Sequence, residues 1–309
     1  MLKETIHYFF LISLLSHSFN AQTKSFDFVA NPVAENVYSI VSPSFGLPTP
    51  ENKGWNSNSH FVVTKDGVLL FDTGSSETIG NGIKNAIKKV TNKPVRWVIN
   101  SHSHADHWLG NAAFSKAEIF ASKAALETMK KYGEEDVAFF NRATKGTIGT
   151  TRLLYPNKLI TEHQKMNFGG VEVEFLFSNN GHSHGDVLVW LPQQKIIFGG
   201  DVLSSNWMPI IINPKKVPNL IQTLNTIAEL QPIHVLTGHG NVTKGSAVIR
   251  DANLLSKVWK LVKDAKGKGK TESEVLTSIE SKLAPTYKDL YTNFTTEIKR
   301  YVEVLFKTL

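Results

Sequence analysis

The run His102-Ser-His104-Ala-Asp106-His107 places three imidazoles and one carboxylate within six residues, directly after the apolar run Val95-Arg-Trp-Val-Ile-Asn100. Imidazole nitrogen and carboxylate oxygen together suit Zn²⁺ first, and Fe and Mn also take such donors. Alternate residues of an extended chain point the same way, so His102 and His104 can hold one ion. Asp106 and His107 lie past the bend, free to face a second. Three later segments bring further donors: Gly181-His182-Ser-His184-Gly-Asp186, Ile196-Ile-Phe-Gly-Gly-Asp201 and His234-Val-Leu-Thr-Gly238-His239-Gly240. One donor from each later segment gives His102, His104, Asp106, His107, His182, Asp201 and His239. Seven protein ligands are too many for one open catalytic zinc and right for two.

Donors of this kind need rigid elements to aim them. Each group lies beside a strand-like apolar run, and glycines next to the donors let the backbone turn and the ion approach. Val37–Val41, Phe61–Val63, Val68–Phe71, Val95–Ile99, Ala117–Ala121, Val171–Phe177, Val187–Leu191 and 195–198 read as strands. Thr78–Val90 reads as a helix with Ile79, Ile83, Ala86, Ile87 and Val90 on one face. Ser122–Lys131, Pro218–Leu230 and Ala247–Ala265 also read as helices, and Tyr132–Leu159 as an irregular crossing. Strands and helices in this order fit an α/β class, a four-layer αββα sandwich with the donors at one edge. The expected organisation is a domain over 22–265 and a helical C-terminal extension over 266–309 packed on it. Thr271-Glu-Ser-Glu274 has the capping-box pattern. The stripe Leu290, Phe294, Ile298, Tyr301, Val302 and Leu305 then suits docking on the domain.

The motif H-x-H-x-D-H, the G-H-S-x-G-D segment, the G-D strand end and the terminal G-H-G together resemble the metallo-β-lactamase-fold hydrolase superfamily. Gly67-Val-Leu-Leu-Phe-Asp72-Thr-Gly74 matches that superfamily's early strand and turn, and the resemblance spans roughly residues 33 to 245. It implies that His102, His104 and His182 hold a first zinc, that Asp106, His107 and His239 hold a second, and that Asp201 bridges them. It implies catalytic roles for Asp106 and Asp201, with Asp106 orienting the bridging water. Carrying both of these carboxylates resembles the glyoxalase II, lactonase and general hydrolase branches. The β-lactamase branch with a cysteine at the second site is disfavoured, because the chain has no Cys. Segments Asn92–Asn100, Gly185–Pro192 and Lys195–Asp201 resemble exported zinc metallohydrolases of the quinoprotein relay system type.

The N-terminus reads as a secretory signal over residues 1–21. Lys3 is the positive end, Tyr8–Leu15 the apolar core, and Ser16–Ala21 the exit region. That core is too short for a stable transmembrane helix, so a periplasmic or secreted bacterial protein is expected. Lys plus Arg number 34 and Asp plus Glu 27, a formal net charge of +7. The lysines are spread out, which favours a solvated basic face over a nucleic-acid surface. The expected partner is a small-molecule substrate. The sequence does not fix an oligomeric state.

Substrate choice falls to loops around the metal edge. Ser44–Trp55, with Phe45, Leu47 and Trp55, is expected as a flap. Trp108, His184 and Trp207 are expected in the pocket wall, and Ser204 and Ser205 as partners of a substrate carboxylate. Asp72 is expected to accept hydrogen bonds that orient the His-rich loop. His60, His163 and His234 lack motif context and are expected outside the site. The leading function is a dizinc hydrolase of an ester, lactone, thioester or amide. A β-lactamase is the alternative, a non-enzymatic metal-binding accessory protein of a quinoprotein or sulfur pathway the third, and a mononuclear iron oxygenase the weakest.

Overall fold

The computed structural model describes residues 27–43, 46–149, 151–161, 164–178 and 181–309. The expected signal segment, Ser44, Phe45 and His163 lie outside them. The first sheet has seven strands in chain order: β1 (Asn31–Ala34), β2 (Val37–Ile40), β3 (Ser59–Val63), β4 (Val68–Phe71), β5 (Val95–Ile99), β6 (Glu118–Ser122) and β7 (Lys158–Ile160). Pairing is antiparallel from β1 to β4 and parallel from β4 to β7. The second sheet has β8 (Lys165–Phe168), β9 (Val171–Phe177), β10 (Val187–Leu191), β11 (Ile196–Gly200) and β12 (His234–Thr237), in the order β12-β11-β10-β9-β8. There only β11 and β12 pair parallel. A parallel pair needs a crossover connection. Helix α1 (Glu77–Val90) supplies it between β4 and β5.

Side-chain alternation sorts the layers. In β4, Leu69 and Phe71 face the inter-sheet core with Val187, Val189 and Phe198. Val68 and Leu70 face α1, where Ile79, Ile83 and Ile87 line one stripe. β10 divides likewise: Leu188 and Trp190 turn to an outer helical layer. Strands covered on both faces read as unbroken apolar runs, and so these strands were legible. The result is a four-layer αββα sandwich.

Helix α2 (Ala105–Trp108) is a single turn inside the His-rich motif, and α3 (Lys123–Ala143) is longer than expected. Tyr132–Ala143 continues α3 where the sequence suggested an irregular crossing. Gly133 weakens the helical reading by about 1 kcal/mol relative to alanine. It is there because α3 passes close to other elements: an added Cβ would lie 3.0 Å from Tyr155 Oη and 3.1 Å from the Trp108 ring. Strands β1, β7 and β8 are short and half-polar, and the sequence did not signal them.

The outer layer on the second sheet is built from α4 (Val217–Glu229), α5 (Gly245–Gly267), α6 (Glu272–Tyr287) and α7 (Phe294–Thr308). Helix α4 also carries the chain across from β11 to β12. Helix α6 starts at the capping box: the Thr271 N–H donates to Glu274 Oε2 at 2.8 Å, and the Glu274 N–H donates to Thr271 Oγ1 at 3.3 Å. Ile279, Leu283, Ile298, Tyr301 and Leu305 share one core with Leu224, Leu255 and Val258. Burying each such aliphatic side chain contributes roughly 1.5–3 kcal/mol. Among the described residues no helix is long and apolar enough to cross a membrane.

Candidate metal centre

The site forms where strand ends of the two sheets meet. β4 is followed by Asp72, whose backbone is left-handed (φ 60°). This places its buried carboxylate beneath the loop that follows β5. Asp72 Oδ1 accepts from the Ser101 N–H at 2.7 Å, and Oδ2 accepts from Ser101 Oγ at 2.8 Å. His107 Nδ1 lies 2.8 Å from the same Oδ2. Carboxylate acceptance fixes the proton on Nδ1 and turns Nε2 towards the site. His102 Nδ1 is 2.8 Å from Ser101 Oγ, which leaves its Nε2 facing inward as well. His239 Nδ1 lies 2.6 Å from the Asn56 carbonyl, with Nε2 inward. Asp186 holds the next loop, accepting from the His182 N–H at 2.9 Å and from Ser178 Oγ at 2.6 Å.

Two donor groups result. His102, His104, His182 and Asp201 form one; Asp106, His107 and His239 form the other; within each group the donor atoms lie within 4.8 Å of one another. The Asp201 carboxylate sits between the two groups. Oδ2 is 3.8 Å from His102 Nε2, 3.5 Å from His182 Nε2 and 3.2 Å from His239 Nε2, and Oδ1 is 3.3 Å from His107 Nε2. His102 Nε2, His107 Nε2, His182 Nδ1 and Asp201 Oδ1 are buried without a hydrogen-bond partner. Buried polar atoms are normally satisfied. Three of these atoms, His102 Nε2, His107 Nε2 and Asp201 Oδ1, face one another in the cluster and fit a bound cation.

The electrostatics agree. Burial, then the neighbouring His107 and His104, hold the His102 ring well below the ordinary imidazole range. Burial, then His182, lowers His104 to about 4. Burial works against a charged His107, but Asp201, Asp106 and Asp72 outweigh it and hold its pKa well above the ordinary value. Asp201 is held well below the carboxylate range by His239 and His107 in spite of burial. The carboxylates that favour positive charge on His107 and His239 would equally favour a dication held by those rings in their unprotonated form.

The profile of the Metallo-beta-lactamase superfamily matches residues 52–251.

The chain belongs to the metallo-beta-lactamase superfamily.

Metallo-beta-lactamase IND-1 of Chryseobacterium indologenes is 29% identical over 263 residues, 83% of this chain and 100% of that protein. The crystal structure of metallo-beta-lactamase IND-7 is 26% identical with a TM-score of 0.58, covering 75% of this chain and 100% of that one. The sec-alkylsulfatase Pisa1 from a Pseudomonas species has a TM-score of 0.70 at 16% identity, covering 91% of this chain and 50% of that one. That last likeness is one of fold. The superfamily and the donor cluster make the chain a metal-dependent hydrolase.

In this superfamily member the donors open on a cavity of about 580 Å³. His184 and Trp207 line it, as do Gly46, Leu47 and Pro48 from the expected flap. Three expectations are corrected. Trp55 is buried and stacked on Phe28 with centroids 4.0 Å apart, part of the core under the first sheet. Trp108 is fully buried, stacked on Tyr155 at 5.5 Å, and donates from Nε1 to the Ser103 carbonyl at 3.1 Å. A large aromatic beside a metal loop gains more from supporting it than from facing solvent. Ser204 is committed elsewhere: its Oγ lies 2.6 Å from Asp251 Oδ2 and 2.8 Å from the Trp207 carbonyl. Its neighbour Ser205 is buried. His60 lies in β3, bonded to Ser39 Oγ at 2.9 Å and the Thr237 carbonyl at 3.0 Å, outside the donor groups.

Sequence reading missed Asn56, whose Nδ2 donates to Asp106 Oδ2 at 3.0 Å. It also missed the α3 wall: Thr128, Tyr132, Asp136 and Phe139 line the cavity. Their helical spacing is the signal that, with α3 drawn to its full length, points to them.

Proposed function

We propose that this chain is an exported hydrolase that holds two zinc ions and cleaves a carbonyl-type bond in an ester, lactone, thioester or amide. The observation that supports the reading is a pair of neighbouring donor groups at the floor of one open cavity, with Asp201 of the first 3.3 Å from His107 and 3.2 Å from His239 of the second. His102, His104 and His182 would hold one ion, Asp106, His107 and His239 the other, with Asp201 between them. Bound zinc lowers the pKa of water towards neutrality and polarises a carbonyl. In the reaction, the water oxygen joins the acyl carbon, the bond to the leaving heteroatom breaks, and the heteroatom takes up a proton. Asp106 faces the cavity with Oδ2 fixed by Asn56, and is the carboxylate placed to carry that proton. Export to the periplasm or beyond rests on the signal-like segment at residues 1–21.

Hydrolysis of the β-lactam ring is the second reading, favoured by similarity to IND-1 along that protein's whole length. One experiment separates the two. The mature chain is purified, its metal is counted by elemental analysis, and β-lactams, lactones, esters and thioesters are assayed. Two zincs with ester, lactone or thioester turnover, lost in Asp106→Ala, is the expected result. Turnover confined to β-lactams moves that reading to first place. One iron, or no metal, overturns the dizinc mechanism.

A further inference from the structure

The walls of the cavity differ sharply from its floor. Among the described lining residues there is no lysine and no arginine. The chain as a whole carries 34 such residues against 27 acidic ones, so their exclusion from this surface is notable. Among the described lining residues away from the donor groups, Asp136 on α3 is the acidic side chain, and it is half-buried. Burial, with Asp106 and Glu135 adding to it, raises its carboxyl to about 6, and at pH 8 it is ionised.

The rim is apolar. Leu47 is 75% exposed, Ile212 55%, Phe139 44% and Tyr132 40%, and all four line this cavity. Apolar surface gathered around a polar floor marks a binding face. These side chains come from separate segments: the loop before β3, helix α3 and the loop after β11. They converge only here.

We propose that the cavity selects acyl substrates with an apolar arm that is uncharged or amine-bearing, and rejects those whose arm carries a carboxylate. The proposal rests on the hydrolase reading for the bond that is cleaved, but not for the arm. Bound metal would offer positive charge at the floor, where a reacting carbonyl would have to lie. An anionic arm would leave water for apolar walls and meet Asp136, with no lysine or arginine among the described lining residues to receive it. An ammonium would find a carboxylate. Penicillins and cephalosporins carry a carboxylate beside the ring, so this selection also bears on the second reading.

The test uses the zinc-loaded mature chain at pH 8, where carboxyls are ionised and ordinary imidazoles are neutral. Affinities are measured by calorimetry for three hydroxamates, which bind zinc through the same head: hexanohydroxamate, adipic monohydroxamate and 6-aminohexanohydroxamate. In parallel, turnover is measured for the matching 4-nitrophenyl esters. The acid-bearing hydroxamate is expected to bind about tenfold more weakly than the neutral one, a difference of about 1.4 kcal/mol. The amine is expected to bind at least as tightly as the neutral arm. Asp136→Asn should narrow the gap between acid and neutral arms to within about threefold, and Asp136→Lys should reverse the order of acid and amine. Equal or tighter binding of the acid by the natural chain overturns the proposal, as does an unchanged order in Asp136→Lys. If the hydroxamates rank as expected but no ester is cleaved, the hydrolase reading fails and the selection stands. If the esters are cleaved but the hydroxamates do not rank, the reverse holds.

Discussion

Asp72 shows how one residue governs the metal floor without touching it. Its carboxylate accepts from Ser101 and His107 and so sets the tautomer of one ring and the loop that carries another. Its left-handed backbone is sparsely populated for residues other than glycine, asparagine and aspartate. Asp72→Asn keeps that backbone accessible, removes the charge and replaces one acceptor oxygen with an amide donor beside Ser101 and His107. It is expected to lower zinc affinity 10–100-fold, read by competition with a chelator, while the far-UV spectrum stays native. Unchanged affinity would show that His107 is oriented by packing alone. The convergence of these seven side chains was legible because imidazole and carboxylate at such spacing have few other uses. The roles of Trp55, Trp108 and Ser204 were not legible. Whether an aromatic faces a pocket or a core depends on what packs behind it, and a serine's partner, here Asp251, lies far along the chain.

Between elements, the principal junction joins the C-terminal helices to the loop after β11. The Thr292 N–H donates to the Asn206 carbonyl at 2.8 Å, and the Met208 N–H donates to Asn293 Oδ1 at 2.9 Å. Arg300 Nη1 donates to the Ile211 carbonyl at 3.1 Å, and Tyr301 Oη to the Pro209 carbonyl. That loop carries Trp207, Ile210 and Ile212 to the cavity. The C-terminal helices therefore hold a wall of the site. Asn293→Ala strands the Met208 N–H at a cost of about 1–3 kcal/mol. Steady-state assays with the best cleaved ester should show KM raised about three- to tenfold, with kcat and zinc content near wild type. A fall in zinc content instead would place the defect at the metals. Beneath the same junction, Asp251 accepts from Ser204 and from Tyr291 Oη, each at 2.6 Å, and from Arg250 Nε at 2.8 Å. Burial still raises its carboxyl from 3.8 to about 6. The folded chain then binds more protons than the unfolded one between those values. Its contribution to stability is full below pH 4 and is lost as pH rises through 6, by up to about 3 kcal/mol. Urea midpoints measured from pH 4 to 7 should fall less steeply in Asp251→Asn than in the natural chain. Parallel curves would mean that the carboxyl ionises in place without cost.

At the scale of the whole molecule, the donors come from both sheets. His102, His104, Asp106 and His107 follow β5 of the first sheet, while His182 precedes β10, Asp201 follows β11 and His239 follows β12 of the second. The two sheets already share a core, so the fold does not depend on metal in the way a small zinc domain does. The edge carrying the donors is different. There, buried imidazoles and carboxylates lie 3.2–3.8 Å apart. Ions bound at this edge would staple the sheets together and add stability as the logarithm of their occupancy. Each site held at a hundred times its dissociation constant contributes about 2.7 kcal/mol. For a chain of this size, whose unfolding entropy is about 0.6 kcal/mol/K, two such sites correspond to a rise in Tm of roughly 8 °C. Chelation should therefore lower Tm by that amount, reversibly on adding zinc, with the far-UV spectrum unchanged. Amide exchange should quicken at 101–108, 181–186 and 238–240 while β4 and β10 stay protected. A Tm indifferent to chelation would mean that the sheets are joined by their apolar core alone. Collapse of the whole spectrum would mean that the core cannot hold them without the staple.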